Sequence, residues 1–281
     1  MPSASFGSDR QEVTPQTRSE IAALLESHGL TPIHRLGQHF LADANITRKI
    51  VELAKVGPGD NVVEVGAGTG TLTKALASTC AHVVSYEVDE GLRPILELVT
   101  LDLDVDLRFE DVTKVDLSAE LDEGRWVMVA NLPYNVGTPL VMDSLRHVPT
   151  IHRFVVMVQR EVAERFVANP GTKDYGLPSV IGSIYAEARL AFRVPPQVFY
   201  PPPRVESAVV VLDRKPMPEY ADAAVQLARA GFGQRRKMLR RSLQSVVTDP
   251  VSLLEQAGFD ETARAENLLP SDYLRLAEAA P

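Results

Sequence analysis

The chain has 281 residues, 45% of them hydrophobic and 23% charged, and carries a formal net charge of −8. These are the proportions of an ordinary globular protein with length for one large domain and one small one. No apolar run nears the roughly 20 residues that span a bilayer, residues 1–14 lack a secretory signal pattern, and the single Cys80 excludes an internal disulfide and suits a reducing cytoplasm.

In chain order, residues 1–14 read as a loosely ordered tail, followed by a helix over 15–28 that stops at Gly29. Residues 36–41 read as a loop. Asp43 then caps a helix with Ile46, Ile50, Leu53 and Ala54 on its apolar side. After a turn at 57–60, strands at 61–65, 82–88, 105–109 and 126–130 alternate with helices through Leu72 and Leu76 and near 92–99, where Pro94 fits only the first turn. A helix opens at Thr138-Pro139, with a strand at 154–158 and a helix at 161–168 beyond it. Runs at 189–194 and 207–212 flank Pro195-Pro196 and Pro201-Pro202-Pro203 and suit antiparallel closure of the sheet. This alternation predicts an α/β fold with a doubly wound, mostly parallel sheet over 15–213. Arg214-Lys215-Pro216-Met217-Pro218 reads as a linker, and 214–281 as a small all-α C-terminal domain.

The first strand runs into Glu64-Val65-Gly66-Ala67-Gly68-Thr69-Gly70, a turn that lets backbone approach a ligand closely. A dinucleotide fingerprint competes for this stretch, but its third glycine arrives one residue early and Thr71 stands where that fingerprint wants Gly or Ala. The spacing is similar to the first motif of the S-adenosylmethionine-dependent methyltransferases. That cofactor has no pyrophosphate, and an acidic, backbone-lined pocket suits its ammonium and sulfonium. Glu87 ends the next strand, where an acid can take both ribose hydroxyls. Asp111, after the third, is placed for the cofactor's adenine amino group, with Val112 against the ring.

A strand over 126–130 delivers Asn131-Leu132-Pro133-Tyr134 to the mouth of the sheet, where open α/β sheets place ligands. These residue types suit methylation of an exocyclic amine on an aromatic base. Such an amine is a weak nucleophile because its lone pair is delocalised into the ring. An amide oxygen and main-chain carbonyls can accept its N–H groups and localise that pair, Pro133 stiffens the turn, and Tyr134 offers a stacking platform. Turn chemistry alone would also account for an Asn and a Pro here.

With these motifs in place, the chain resembles the ribosomal RNA adenine N6,N6-dimethyltransferases, most closely their small-subunit (16S) branch. The resemblance runs from about Leu36 to the C-terminus. Its carriers are Gly37-Gln38-His39-Phe40-Leu41, the glycine turn, Asn131–Asn135 with Thr138-Pro139, Gln159–Arg165, Phe199–Ser207 and Phe232–Lys237. It implies a Rossmann-like S-adenosylmethionine methyltransferase fold with a helical RNA-binding domain at the C-terminus. His39, Leu41, Glu64, Gly66, Gly68, Glu87, Asp111, Val112 and Asn131 would hold the cofactor, His39 standing where the family commonly carries asparagine. Asn131, Leu132, Pro133 and Tyr134 would face the adenine, with Phe199 as a second wall. The implied reaction is in-line displacement of the sulfonium methyl by adenine N6, twice on each of two adjacent adenines in the 3′-terminal hairpin loop of 16S rRNA, during small-subunit biogenesis.

The implied partner is RNA in the small subunit or its precursor, met by a cytoplasmic monomer without metal or membrane. The acidic net charge is no obstacle, because the field is local: residues 97–123 carry ten acids, whereas 234–242 carry Arg235, Arg236, Lys237, Arg240 and Arg241 with none. A helix from about Gln234 is expected, with Leu239, Leu243, Val246 and Val247 inward and the cations meeting phosphates. The runner-up functions are a 23S rRNA adenine N6-methyltransferase of the macrolide-resistance type, a ribosome-assembly factor that acts by binding, and an NAD-dependent oxidoreductase.

Overall fold

The computed structural model describes residues 16–121, 123–134 and 136–280; the expected tail at 1–14 lies outside them. Thr17 caps α1 (Arg18–Ser27) through a reciprocal bond pair with Glu20. Next come β1 (Phe40–Leu41) and α2 (Ala44–Ala54), capped by Asp43 through the N–H groups of Asn45 and Ile46. The alternating core follows as β2 (Asn61–Val65), α3 (Thr71–Ala77), β3 (His82–Tyr86), α4 (Arg93–Val99), β4 (Val105–Arg108), α5 (Leu117–Glu120) and β5 (Trp126–Asn131). It continues through α6 (Gly137–His147), β6 (Ile151–Gln159), α7 (Arg160–Phe166), α8 (Leu177–Tyr185), β7 (Ala186–Val194), β8 (Phe199–Tyr200) and β9 (Ser207–Arg214). Helices α9 (Ala221–Gly233), α10 (Leu239–Ser242), α11 (Pro250–Gln256) and α12 (Pro270–Glu278) complete the chain.

Seven strands form one sheet in the order β4-β3-β2-β5-β6-β9-β7. The first five are parallel, while β9 runs antiparallel to both β6 and β7. Successive residues face opposite sides: Val62, Val127, Val129 and Val155 pack with α2 and α3, whereas Val63, Met128, Phe154 and Val156 belong to the apolar cluster of α6, α8, α9 and α12. After β2 the chain winds outward through β3 and β4, then returns to lay β5 against the other edge of β2. That reversal is a topological switch point, and open sheets of this kind bind ligands beyond the strand ends there.

Several expectations shift. The loop at 36–41 contains β1, which pairs antiparallel with β8 in the register Phe40↔Tyr200 and Leu41↔Phe199. Helix α6 starts at Gly137, so Pro139 is its third residue rather than its first. Arg214 is the last residue of β9, not linker. Its guanidinium donates to the carbonyls of Ser144, Leu145, Val148 and Ile151, closing the C-terminal end of α6. The expected helix from Gln234 is broken: residues 234–237 form turns, α10 has a single turn, and a 3-10 turn follows at Leu243–Ser245. Leu239 and Leu243 are buried as expected, but Val246 is 51% exposed.

Candidate active site

The parallel register of β2 with β5 pairs Val65 with Ala130, so Gly66 and Asn131 are the next residues at the switch point. A Cβ on Gly66 would come within 3.5 Å of the Asn131 carbonyl oxygen. The glycine turn takes left-handed φ values of +82° at Gly66, +59° at Gly68 and +81° at Gly70, conformations that a side chain would strain. It is tied to β3 by the Gly66 N–H, which donates to the Tyr86 carbonyl at 2.8 Å. From the other side the 37–41 loop folds over it. A Cβ on Gly68 would meet the Phe40 ring at 2.9 Å, and one on Gly37 would meet Pro133 at 3.3 Å. Three of the recognised motifs thus pack against one another so closely that a side chain at Gly37 or Gly68 would crowd its neighbour.

A cavity of about 260 Å³ lies between them. It is lined by His39, Leu41, Gly66, Gly68, Glu87, Asp111, Val112, Asn131, Leu132, Pro133 and Tyr134, among others. Four strand ends and the 37–41 loop thus bring together residues that lie up to 95 positions apart in the chain.

Each polar group has a defined environment. Glu87 is buried and accepts from the N–H groups of Gly68 at 2.8 Å and of Val88 and Asp89 at 2.9 Å. Burial pushes its carboxyl above the usual range despite those bonds. Asp111 accepts from the Thr113 hydroxyl at 2.7 Å, which holds its carboxyl below the usual range. The Asn131 amide nitrogen donates to the His39 carbonyl at 3.0 Å, which turns the amide oxygen away as an acceptor. Tyr134 exchanges a hydroxyl bond with Ser207 at 2.9 Å, and its ring lies against His39 with centroids 6.0 Å apart and planes at 28°. The His39 ring is held by its Nδ1, which donates to the Pro201 carbonyl at 2.7 Å.

Two expected site residues lie elsewhere. Phe199 is 1% exposed and packs in the core with Leu41, Ile46, Ile50 and Val194. Pairing with β1 turns it inward, and it does not line the cavity. Glu64 is wholly buried behind the turn, where one carboxylate oxygen accepts from Thr73 and Ser85 at 2.6 Å each. Its Oε1 has no partner among the described residues, and burial pushes the carboxyl up to about 7. Glu64 braces α3 against β2 and β3 rather than lining the cavity.

The basic cluster also divides. Arg235 is spent inside the protein, donating to Glu266 at 3.0 Å and to the carbonyls of Lys173 and Thr172. Arg240 pairs with Glu261 at 2.8 Å. Arg236, Lys237 and Arg241 are exposed and form no ion pair among the described residues.

Two contributors had no role in the sequence reading. Gln38 donates to Asp89 at 2.6 Å and accepts from the Ile33 N–H, clamping the loop over the turn; its place in a recognised motif was the available signal. Gln16 bonds Thr69 and Thr71 from 53 and 55 residues away, and no local pattern marks it.

The donor set fits S-adenosylmethionine. Bare backbone floors the cavity, Glu87, Glu110 and Asp111 supply negative charge for a cationic ligand, and Leu72, Val88 and Val112 offer apolar surface to a purine. Fold and site are those of an S-adenosylmethionine-dependent methyltransferase. A family model described as ribosomal RNA adenine dimethylase matches residues 33–280. The chain is 46% identical to the ribosomal RNA small subunit methyltransferase A of Phenylobacterium zucineum, over 94% of this chain and 93% of that one. The same-named protein of Magnetococcus marinus is 40% identical over 92% and 95%. A dimethyladenosine transferase from Plasmodium falciparum superposes with a TM-score of 0.69 at 25% identity, over 85% of this chain and 96% of that one. The 23S rRNA methyltransferase ErmE gives 0.65 at 25% identity, over 86% and 99%. The chain belongs to the ribosomal RNA adenine dimethylase family.

Proposed function

We propose that this protein dimethylates N6 of two adjacent adenines in the 3′-terminal hairpin loop of 16S rRNA, during assembly of the small ribosomal subunit. The observation that carries the reading is that Asn131, whose backbone lies against Gly66, lines one cavity with the glycine turn. The small-subunit substrate is favoured by relatives named for the small subunit, which are 40% and 46% identical over more than nine-tenths of the chain.

Glu87, Asp111, Val112 and the backbone of Gly66 and Gly68 would hold the cofactor, which supplies an electrophilic methyl on a sulfonium. Asn131 Oδ1 accepts one N6–H of the adenine, and neighbouring main-chain carbonyls accept the other. These bonds strengthen as N6 pyramidalises, so they favour the transition state over the ground state. Tyr134 presents its ring to the base and is held by Ser207 and His39. No strong base is required, because the nitrogen is strongly acidic once alkylated and releases its proton to water. Positioning therefore carries most of the rate.

Arg236, Lys237 and Arg241 contact RNA phosphates on the helical C-terminal part, while Arg235 and Arg240 keep their intramolecular partners. The reading requires one chain, no metal and no membrane. Its test is incubation of unmodified small subunits with labelled S-adenosylmethionine, followed by nucleoside analysis for N6,N6-dimethyladenosine.

A further inference from the structure

The side chain of Gln16 bonds the glycine turn without lining the cavity itself. Its Oε1 accepts from the hydroxyls of Thr69 at 2.7 Å and Thr71 at 2.9 Å, and its Nε2 donates to the Thr69 carbonyl at 3.0 Å. Both threonines are nearly buried and line the cavity. Thr71 opens α3 and is the residue that separates this turn from a dinucleotide fingerprint. Gln16 directly precedes Thr17, the cap of α1. That helix is anchored by Ile21 and Leu25 in a cluster with Phe40, Ala67, Leu92, Ile95 and Leu96. One side chain, fixed to a packed helix, thus fastens a segment in which three of five residues are glycine.

We propose that Gln16 is a positioning residue for the cofactor, latching the turn in its binding conformation from outside the cavity. The inference rests on the cavity being the cofactor site. Glycine-rich backbone loses much freedom on ordering, so a turn released from Gln16 must be ordered by the ligand itself. Affinity then falls by the fraction of molecules in the competent state. Because Gln16 does not itself line the cavity, it does not touch the transferable methyl. S-adenosylmethionine and S-adenosylhomocysteine are therefore weakened by the same factor.

The test is calorimetric titration of both ligands into the full-length wild type, Gln16→Ala and Gln16→Glu, with hydrogen exchange of the 66–72 amides and the ligand-free melting temperature. Gln16→Ala is expected to weaken both ligands about tenfold, within the range for two or three ordinary hydrogen bonds. Turnover at saturating cofactor should stay within about twofold of wild type, and exchange should quicken at 66–72 first. Gln16→Glu keeps the acceptor for both hydroxyls but sets a carboxylate oxygen against the Thr69 carbonyl, and should weaken both ligands as well. Coupling is read from a double-mutant cycle with Thr71→Val on S-adenosylhomocysteine affinity. Unchanged affinity in Gln16→Ala, additive effects in the cycle, or a loss confined to one ligand overturns the latch. A wild type that binds neither ligand refutes the cofactor assignment instead.

Discussion

The amide nitrogen of Asn131 lies 3.0 Å from the main-chain carbonyl of His39, across 92 residues of sequence. The loop that covers the glycine turn therefore also aims the carboxamide proposed to receive the adenine amine. On the proposed assignment, cofactor pocket and base pocket share a wall, so disturbing one should disturb the other.

Replacement of Asn131 by alanine removes the acceptor for N6–H and frees the His39 carbonyl. Methyl transfer should fall by at least about 10²–10³-fold, the scale for loss of one preorganised polar group at a reacting centre. Cofactor affinity should drop only severalfold. Single-turnover transfer and equilibrium titration on the same preparation separate the two effects.

Tyr134 contributes a ring and a hydroxyl that can be tested apart. Tyr134→Phe keeps the ring, loses the Ser207 bond, and should cost about 0.5–1.5 kcal/mol in the apparent affinity for the RNA particle. Tyr134→Ala should cost a further 1–3 kcal/mol or so, as for other base–aromatic platforms. A kcat and KM comparison on purified small subunits reads both.

The buried carboxyl of Glu64 makes stability depend on pH. Its folded value of about 7 lies above the ordinary value of 4.5, so between these two limits the folded state holds a proton that the unfolded state has lost. The contribution is full below about 4.5 and disappears as pH rises through 7. It amounts to about 3 kcal/mol at roughly 1.4 kcal/mol per pH unit. Glu64→Gln should abolish this slope, so that its stability relative to wild type is greater at pH 8 than at pH 5. Urea unfolding at the two pH values checks the sign.

The exposed cations should set the salt dependence of RNA binding. Three phosphate contacts at roughly −0.7 each give a slope near −2 in log affinity against log salt. The double variant Lys237→Glu, Arg241→Glu should bind the small subunit more weakly, with a slope shallower by about 1.4. Arg235→Ala should leave the slope alone and lower the melting temperature, because Glu266 and two carbonyls lose their donor.

The sheet was readable because its strands are short apolar runs between turn residues, and the cofactor motif because close backbone approach demands glycine. Contacts between distant segments were not. Phe199 carries no sign that its strand pairs with Phe40–Leu41 and faces the core. Helix α8 is a short, strongly apolar run that buries Val180, Ile181, Ile184 and Tyr185, and such a run does not by itself separate helix from strand. Arg235 and Arg240 look like free cations until folding brings up Glu266 and Glu261, 31 and 21 residues away. Gln16 is the same lesson in a neutral side chain.

One experiment bears on the shared cavity most directly. Small subunits lacking the modification are incubated with labelled S-adenosylmethionine and either wild type or Asn131→Ala, and their RNA is digested for nucleoside mass spectrometry. Wild type should yield N6,N6-dimethyladenosine at two adjacent positions, and the variant almost none while still binding S-adenosylhomocysteine. Equal yields from both proteins, or label on a nucleoside other than adenosine, would contradict the account.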